Sequence, residues 1–200
     1  MNPRRTLTFL IIISFILLIV CGYFSLKFEL NRPRLPIVGQ VADFTLKDSD
    51  GKDFSFNQLK GRVWIADFFF TSCSNICPMM TKHMAALNRS FALVPNIALV
   101  SITVNPENDS PEVLKSYAKK QNANPNWHFL TGSREDITKV AVQSFKLGDI
   151  KQPIFHSSYF SLVDKNGFIR GYYDGTKQED VNRLFKDTAT LLKEKAHGFL

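Results

Sequence analysis

Cysteine is scarce in this chain, with three residues in 200. Cys21 lies in an apolar N-terminal stretch, so the remainder holds only Cys73 and Cys77. A single pair excludes a disulfide scaffold, and a domain of about 160 residues buries a core without staples. The pair therefore reads as chemical rather than structural. Runs of one charge are also missing. The formal net charge is +7, but Arg4, Arg5, Lys27, Arg32 and Arg34 flank the apolar stretch and the other basic residues are scattered among acidic ones. No basic tract follows a phosphate backbone, which excludes a nucleic-acid partner and leaves a mildly basic face for an acidic partner or a membrane surface. Internal repeats and low-complexity breaks are absent. The turn Asp48-Ser49-Asp50-Gly51 lacks the third acidic ligand and closing glutamate of a calcium loop, because Leu59 holds the twelfth position. It reads as a turn.

What is present begins with hydrophobicity. Leu7 to Phe24 carries no charge and is apolar apart from Thr8 and Ser14. A helix needs roughly 20 such residues to cross the hydrocarbon core, so residues 1–24 are expected to form a transmembrane anchor. Arg4 and Arg5 would stay in the cytoplasm. That predicts a single-pass protein of the inner membrane with its C-terminal portion on the periplasmic side. A cleaved signal peptide is the rival, but no small-x-small site occurs near Cys21-Gly22-Tyr23-Phe24. Val20 before Cys21 argues for an apolar helix cysteine rather than a lipidated one. Residues 25–39 contain Asn31-Arg32-Pro33-Arg34-Leu35-Pro36 and are expected to form an extended stalk. Residues 40–200 read as one domain.

Within that domain, Phe44-Thr45-Leu46 and Phe54-Ser55-Phe56 flank a turn and predict a hairpin. Val63 to Phe70 and Ile97 to Val104 read as strands buried on both faces. Between them Pro78 opens a helix with Met80, Met84, Leu87 and Phe91 on one stripe, and Cys77 projects onto it. Ser110-Pro111 and Ser133 start two further helices. Phe129-Leu130 is a short strand or loop. Asp164-Lys165-Asn166-Gly167 predicts a second hairpin, and Val181, Leu184, Phe185, Leu191 and Leu192 mark a final helix. This order implies an α/β, thioredoxin-like three-layer domain with a mixed central sheet and an antiparallel C-terminal edge.

The cysteines sit in Phe70-Thr71-Ser72-Cys73-Ser74-Asn75-Ile76-Cys77-Pro78, at a strand-to-helix turn. Three residues separate them, which puts both sulfurs on one side of a helical turn. The helix start is expected to favour thiolate, which is both the soft-metal ligand and the nucleophile. Two thiolates under-coordinate a soft metal, so a third donor is sought. His197 is near the C-terminus and reads as solvated; His128 reads as an edge or surface residue, and His83 lies off the Cys77 stripe and reads as solvated. His156 is in Gln152-Pro153-Ile154-Phe155-His156-Ser157-Ser158, a loop feeding the terminal hairpin, and topology alone leaves open whether it faces the thiols. Met79, Met80 and Met84 suit Cu(I) but at helical spacing read as core filler. Asn105, Glu107 and Asp109 read as turn and cap residues.

Four stretches, in order, resemble the Sco/SenC family of membrane-anchored, thioredoxin-like copper proteins. They are Phe69 to Pro78, Ser101 to Leu114, Trp127 to Gly132 and His156 to Asp164. The resemblance implies that Cys73, Cys77 and His156 are copper ligands. It implies a metallochaperone delivering copper to the dinuclear site of cytochrome c oxidase, with that copper-site subunit as partner and other copper or thiol-redox carriers as further ones. Ser74, Asn105 and Phe155 depart from residues frequent in the family, which touches the groups that orient His156 rather than the ligands. The alternative is a thiol–disulfide oxidoreductase or redox sensor, with Cys73 attacking and Cys77 resolving. A peroxidase is disfavoured: Ile65 to Cys73 has no proline and sets its threonine one residue too close to the cysteine.

Overall fold

The computed structural model describes residues 3–30, 34–74, 76–146 and 158–194, and within the N-terminal helix the side chains of residues 12–24 and 27. The chain divides into two units, Met1–Arg34 and Leu35–Leu200. The first is a single helix, α1 (Pro3–Leu30). It continues past the expected anchor end at Phe24, because residues 25–30 contain no proline or glycine to stop it. Part of the expected stalk is therefore helical. Ile12, Phe15, Leu18 and Phe24 are exposed. Among the described residues, no helix is long and apolar enough to cross a membrane.

The second unit is built on one eight-stranded sheet. Its strands are β1 (Gly39–Gln40), β2 (Thr45–Asp48), β3 (Asp53–Ser55), β4 (Val63–Phe69), β5 (Ile97–Thr103), β6 (Trp127–Thr131), β7 (Tyr159–Val163) and β8 (Phe168–Asp174). They lie in the order β1-β8-β7-β4-β5-β6-β2-β3. The β4–β5 and β5–β6 pairs are parallel, and the others are antiparallel. Every residue of β4 and β5 is buried, as continuous apolar runs demand of strands covered on both faces. One face packs on α2 (Cys77–Ser90), α3 (Pro111–Lys120) and α5 (Gln178–Lys193), joining Val63, Ile65 and Phe69 to Met80, Met84 and Leu184. The other face joins Trp64, Ala66 and Phe68 to Phe56, Ile137 and Phe145.

Three details differ from the expected pattern. The helix capped by Ser133 is α-helical only over α4 (Arg134–Lys139), and a wider π turn at Val140–Ser144 follows. That turn sets Phe145 edge-on against Trp64 and Phe68, at 5.8 and 5.3 Å between ring centres. Gly39–Gln40 pairs with β8 instead of closing the stalk. The segment at Phe129-Leu130 is a full strand, and it is interior because the β2–β3 hairpin extends the sheet beyond it. His128 is therefore mostly buried, 4.7 Å from the Phe54 ring. Burial first, and then the Arg62 charge, push its pKa down to about 4. Its Nε2 atom has no partner among the described residues.

Two buried ionisable side chains, Arg170 and Asp67, hold this unit together. Arg170 donates from Nη1 to Asp164 (2.9 Å) and Glu194 (3.2 Å), and from Nε to the Leu35 and Pro36 carbonyls (3.1 and 3.2 Å). It thus ties the start of the unit, the terminal hairpin turn and the end of α5. Asp67, within β4, accepts from the Ser101 hydroxyl (2.5 Å), which itself accepts from the Trp127 indole (2.9 Å). Desolvation raises the Asp67 pKa to about 7, and its hydrogen bonds only partly oppose that.

Removing the guanidinium leaves carboxylates buried without their cation, so Arg170→Leu should cost about 3–5 kcal/mol in urea unfolding, and a loss under about 1 kcal/mol would contradict the clamp. For Asp67 the sign follows from proton counting. The folded state keeps this proton up to about pH 7, whereas the unfolded chain releases it near pH 4. The stabilisation is complete below about pH 4 and is lost as pH rises through 7. His128 runs the opposite way between its folded and unfolded values, but wild type and Asp67→Asn share that trend. Between pH 5 and 8 the wild type should therefore lose on the order of 2–3 kcal/mol relative to Asp67→Asn. Parallel pH profiles for the two proteins would contradict a buried, proton-holding Asp67.

Candidate functional site

The chain leaves the sheet at Phe69, whose carbonyl accepts from the Val104 amide at 2.8 Å. A turn follows in which the Cys73 amide donates to the Phe70 carbonyl at 3.3 Å. The chain then enters α2 at Cys77, with Pro78 in its first turn and Ile76 as a cap that makes no side-chain bond. Pro78 suits this place because the first amides of a helix have no intrahelical acceptor. Cys73 is partly exposed and Cys77 buried, both as thiols. A hydrogen bond joins the two sulfurs. The sulfurs meet, but not on one helical turn as the spacing implied: Cys73 lies in the turn before α2, and Cys77 is the first residue of the helix.

The electrostatics differ from the expectation. Burial pushes the Cys77 thiol pKa up, the hydrogen bond with Cys73 adds to this, and the Phe70 backbone hydrogen bond opposes it. The charges of Cys73 and Asp67 push it further up. A helix N-terminus contributes only about 0.3–1 kcal/mol toward the anion, and desolvation of a buried thiol outweighs that. Cys77 is a protonated thiol until something displaces the proton. Behind it, the Tyr117 and Thr81 hydroxyls are bonded at 2.9 Å and tie α3 to α2. The Tyr117 ring packs on Phe69 and Phe129 at 5.4 and 5.9 Å.

His156 and His197 lie outside the described residues. His83 is half-buried rather than solvated, with Nδ1 bonded to the Gly175 carbonyl at 2.8 Å. His128 faces the opposite side of the sheet from the cysteines, in keeping with the alternation of β6. Met80 and Met84 are core residues, and Met79 is exposed. Among the described residues, no group of three or more His, Cys, Asp or Glu is placed to hold a metal ion.

Of two carboxylates at this end of the sheet, Asp67 escaped the sequence reading and Asp109 was read only as a turn and cap residue. Asp67 is a charged residue in a strand buried on both faces, and that anomaly was its signal. Asp109 looked like a cap residue but is fully buried, and it binds the segment just before Cys73. It accepts from the Thr71 amide (3.1 Å), the Thr71 hydroxyl (2.5 Å) and the Thr103 hydroxyl (2.5 Å). No local pattern announces it, because Thr71 and Asp109 meet only when β4 and β5 pair.

This chain and its fold are similar to known proteins. The SCO1 protein homolog of Bacillus subtilis is 38% identical over 188 residues, covering 88% of this chain and 93% of its own length. The solved structure of BsSco, described as a disulfide-switch member of the Sco family of cytochrome c oxidase assembly proteins, superposes with a TM-score of 0.72. It is 36% identical and covers 82% of this chain and all of that one (100%). Arabidopsis thaliana ScoI with copper bound gives a TM-score of 0.63 at 25% identity, over 75% of this chain and 98% of its own. The SCO1/SenC family profile matches residues 38–193, which is nearly the whole of the second unit. With its fold and most of its length accounted for in this way, the chain belongs to the SCO1/SenC family.

Proposed function

We propose that this protein is a membrane-tethered copper carrier that delivers copper to the dinuclear site of cytochrome c oxidase. The observation that carries the reading is the meeting of Cys73 and Cys77 at a partly exposed turn, within hydrogen-bonding distance of each other. Two adjacent thiols are soft donors that select Cu(I) over harder ions. Relatives support the cargo and the destination: one is solved with copper bound, and another is a member of a cytochrome c oxidase assembly family.

His156 supplies the third ligand. Strand β7 runs antiparallel to β4 with Ala66 opposite Ser161, so β7 begins at the cysteine end of the sheet. The Gly175 amide donates to the Ser158 carbonyl at 2.6 Å, and the Gly175 carbonyl in turn bonds His83 of α2. His156 is two residues before Ser158, a chain reach of about 7 Å. Three ligands leave a coordination position open, so the partner's donors can enter and displace them in turn. Because the Cys77 thiol holds its proton, copper uptake must release protons, and affinity falls as pH falls. The charge-free run from Leu7 to Phe24, preceded by Arg4 and Arg5, supports a tether at the inner membrane with the rest of the chain on the periplasmic side.

A thiol–disulfide oxidoreductase is the second reading, favoured by the asymmetry of the pair. Cys73 is exposed enough to attack, and Cys77 is buried beside it, placed to resolve a mixed disulfide. His156 separates the two readings, since a carrier needs it and a reductase does not.

Anaerobic copper titration of the reduced protein, followed by desalting, should leave one copper per chain, with uptake releasing protons and weakening as pH falls. Cys73→Ser, Cys77→Ser and His156→Ala should each lose it. Copper held equally by wild type and His156→Ala, or by neither, would transfer the assignment to thiol–disulfide exchange.

A further inference from the structure

Asp109 is a buried carboxylate that no cation pairs with among the described residues, and its hydrogen bonds converge on the chain just before Cys73. Both of its oxygens are engaged. Thr71 donates its amide to one and its hydroxyl to the other, and Thr103 adds a hydroxyl at 2.5 Å. The carboxylate's own position is fixed from two sides. Its amide donates to the Asn105 carbonyl at 3.0 Å, and the Asn105 amide donates to the Thr103 hydroxyl at 3.0 Å. By contrast, the turn that carries Cys73 closes on a backbone bond of 3.3 Å, beyond the usual N–H···O range. Three donors on one buried carboxyl group outnumber that single backbone bond. The Cys73 turn is therefore held more firmly by the β5–α3 loop than by itself.

We propose that Asp109 is a positioning residue that holds the Cys73 turn, through Thr71, so that the Cys73 sulfur stands against that of Cys77. This rests on the reading of Cys73 and Cys77 as the working pair. It gives the carboxylate a role that capping would not: the clamp sets the effective concentration of one thiol at the other. A residue that only stabilises the fold supports the dithiol and disulfide forms equally and cannot move the equilibrium between them. A residue that fixes the approach of the sulfurs does move it.

The readout is redox equilibrium of the full chain with glutathione. The two protein thiols give two electrons and two protons to oxidised glutathione. Its S–S bond breaks, the Cys73–Cys77 bond forms, and two molecules of reduced glutathione are released. Asp109→Asn keeps the shape but replaces an acceptor oxygen with an NH2 donor, and should lower the equilibrium constant for disulfide formation about tenfold, or about 30 mV for this two-electron couple. Thr71→Val removes the hydroxyl but keeps the amide bond, and should shift it the same way by less. Glu107→Gln, on the same loop but paired outward with Arg134, should leave it unchanged. Urea unfolding of each reduced protein separates a shift in potential from a loss of stability. If Asp109→Asn fails to fold, Thr71→Val decides alone. Variants that lose stability but keep the wild-type equilibrium constant would overturn the clamp. A wild type that forms no intramolecular disulfide would overturn the reading of the pair, and the clamp with it.

Discussion

Two-sided burial of β4 is the constraint on which the rest depends. All seven of its residues are buried, so the strand cannot carry chemistry along its length, and whatever it delivers must lie at its end. There the chain has to turn, and two elements meet it: the β5–α3 loop through Asp109 and the start of α2 through Cys77. The register that pairs Asp67 with Ser101 and Phe69 with Thr103 also brings Thr71 to Asp109. The geometry of the sulfurs follows from strand pairing rather than from the cysteine turn itself.

The same burial governs the electrostatics. It holds a proton on Asp67 near neutrality and raises the Cys77 thiol, so the back of the site is neutral when no ligand is present. A soft cation that displaces the thiol proton gains two sulfur donors in a poorly solvated place, where their attraction is little screened. Cys73, at the more exposed position, is the sulfur an incoming partner meets first.

Much of this was legible in the sequence. The buried strands, the Met80–Met84–Leu87 stripe, both hairpins and the cysteine turn were signalled by period and turn residues, which are local properties. What escaped was non-local. His128 looked like an edge residue because nothing near it in sequence says that the β2–β3 hairpin will extend the sheet past β6. Asp109 looked like a cap because its donor Thr71 is 38 residues away. Expected thiolate character failed for Cys77 because burial, which depends on the whole packing, outweighs a helix dipole, which depends on a single turn. His156 lies outside the described residues, and its part as a ligand belongs to the proposed function alone.

X-ray absorption at the copper edge of the loaded, reduced full chain tests the central claim most directly, because it counts the donors around the metal. The account predicts two sulfur scatterers and one imidazole nitrogen. A copper with one sulfur or none in its shell would show that Cys73 and Cys77 do not act together, and would contradict it.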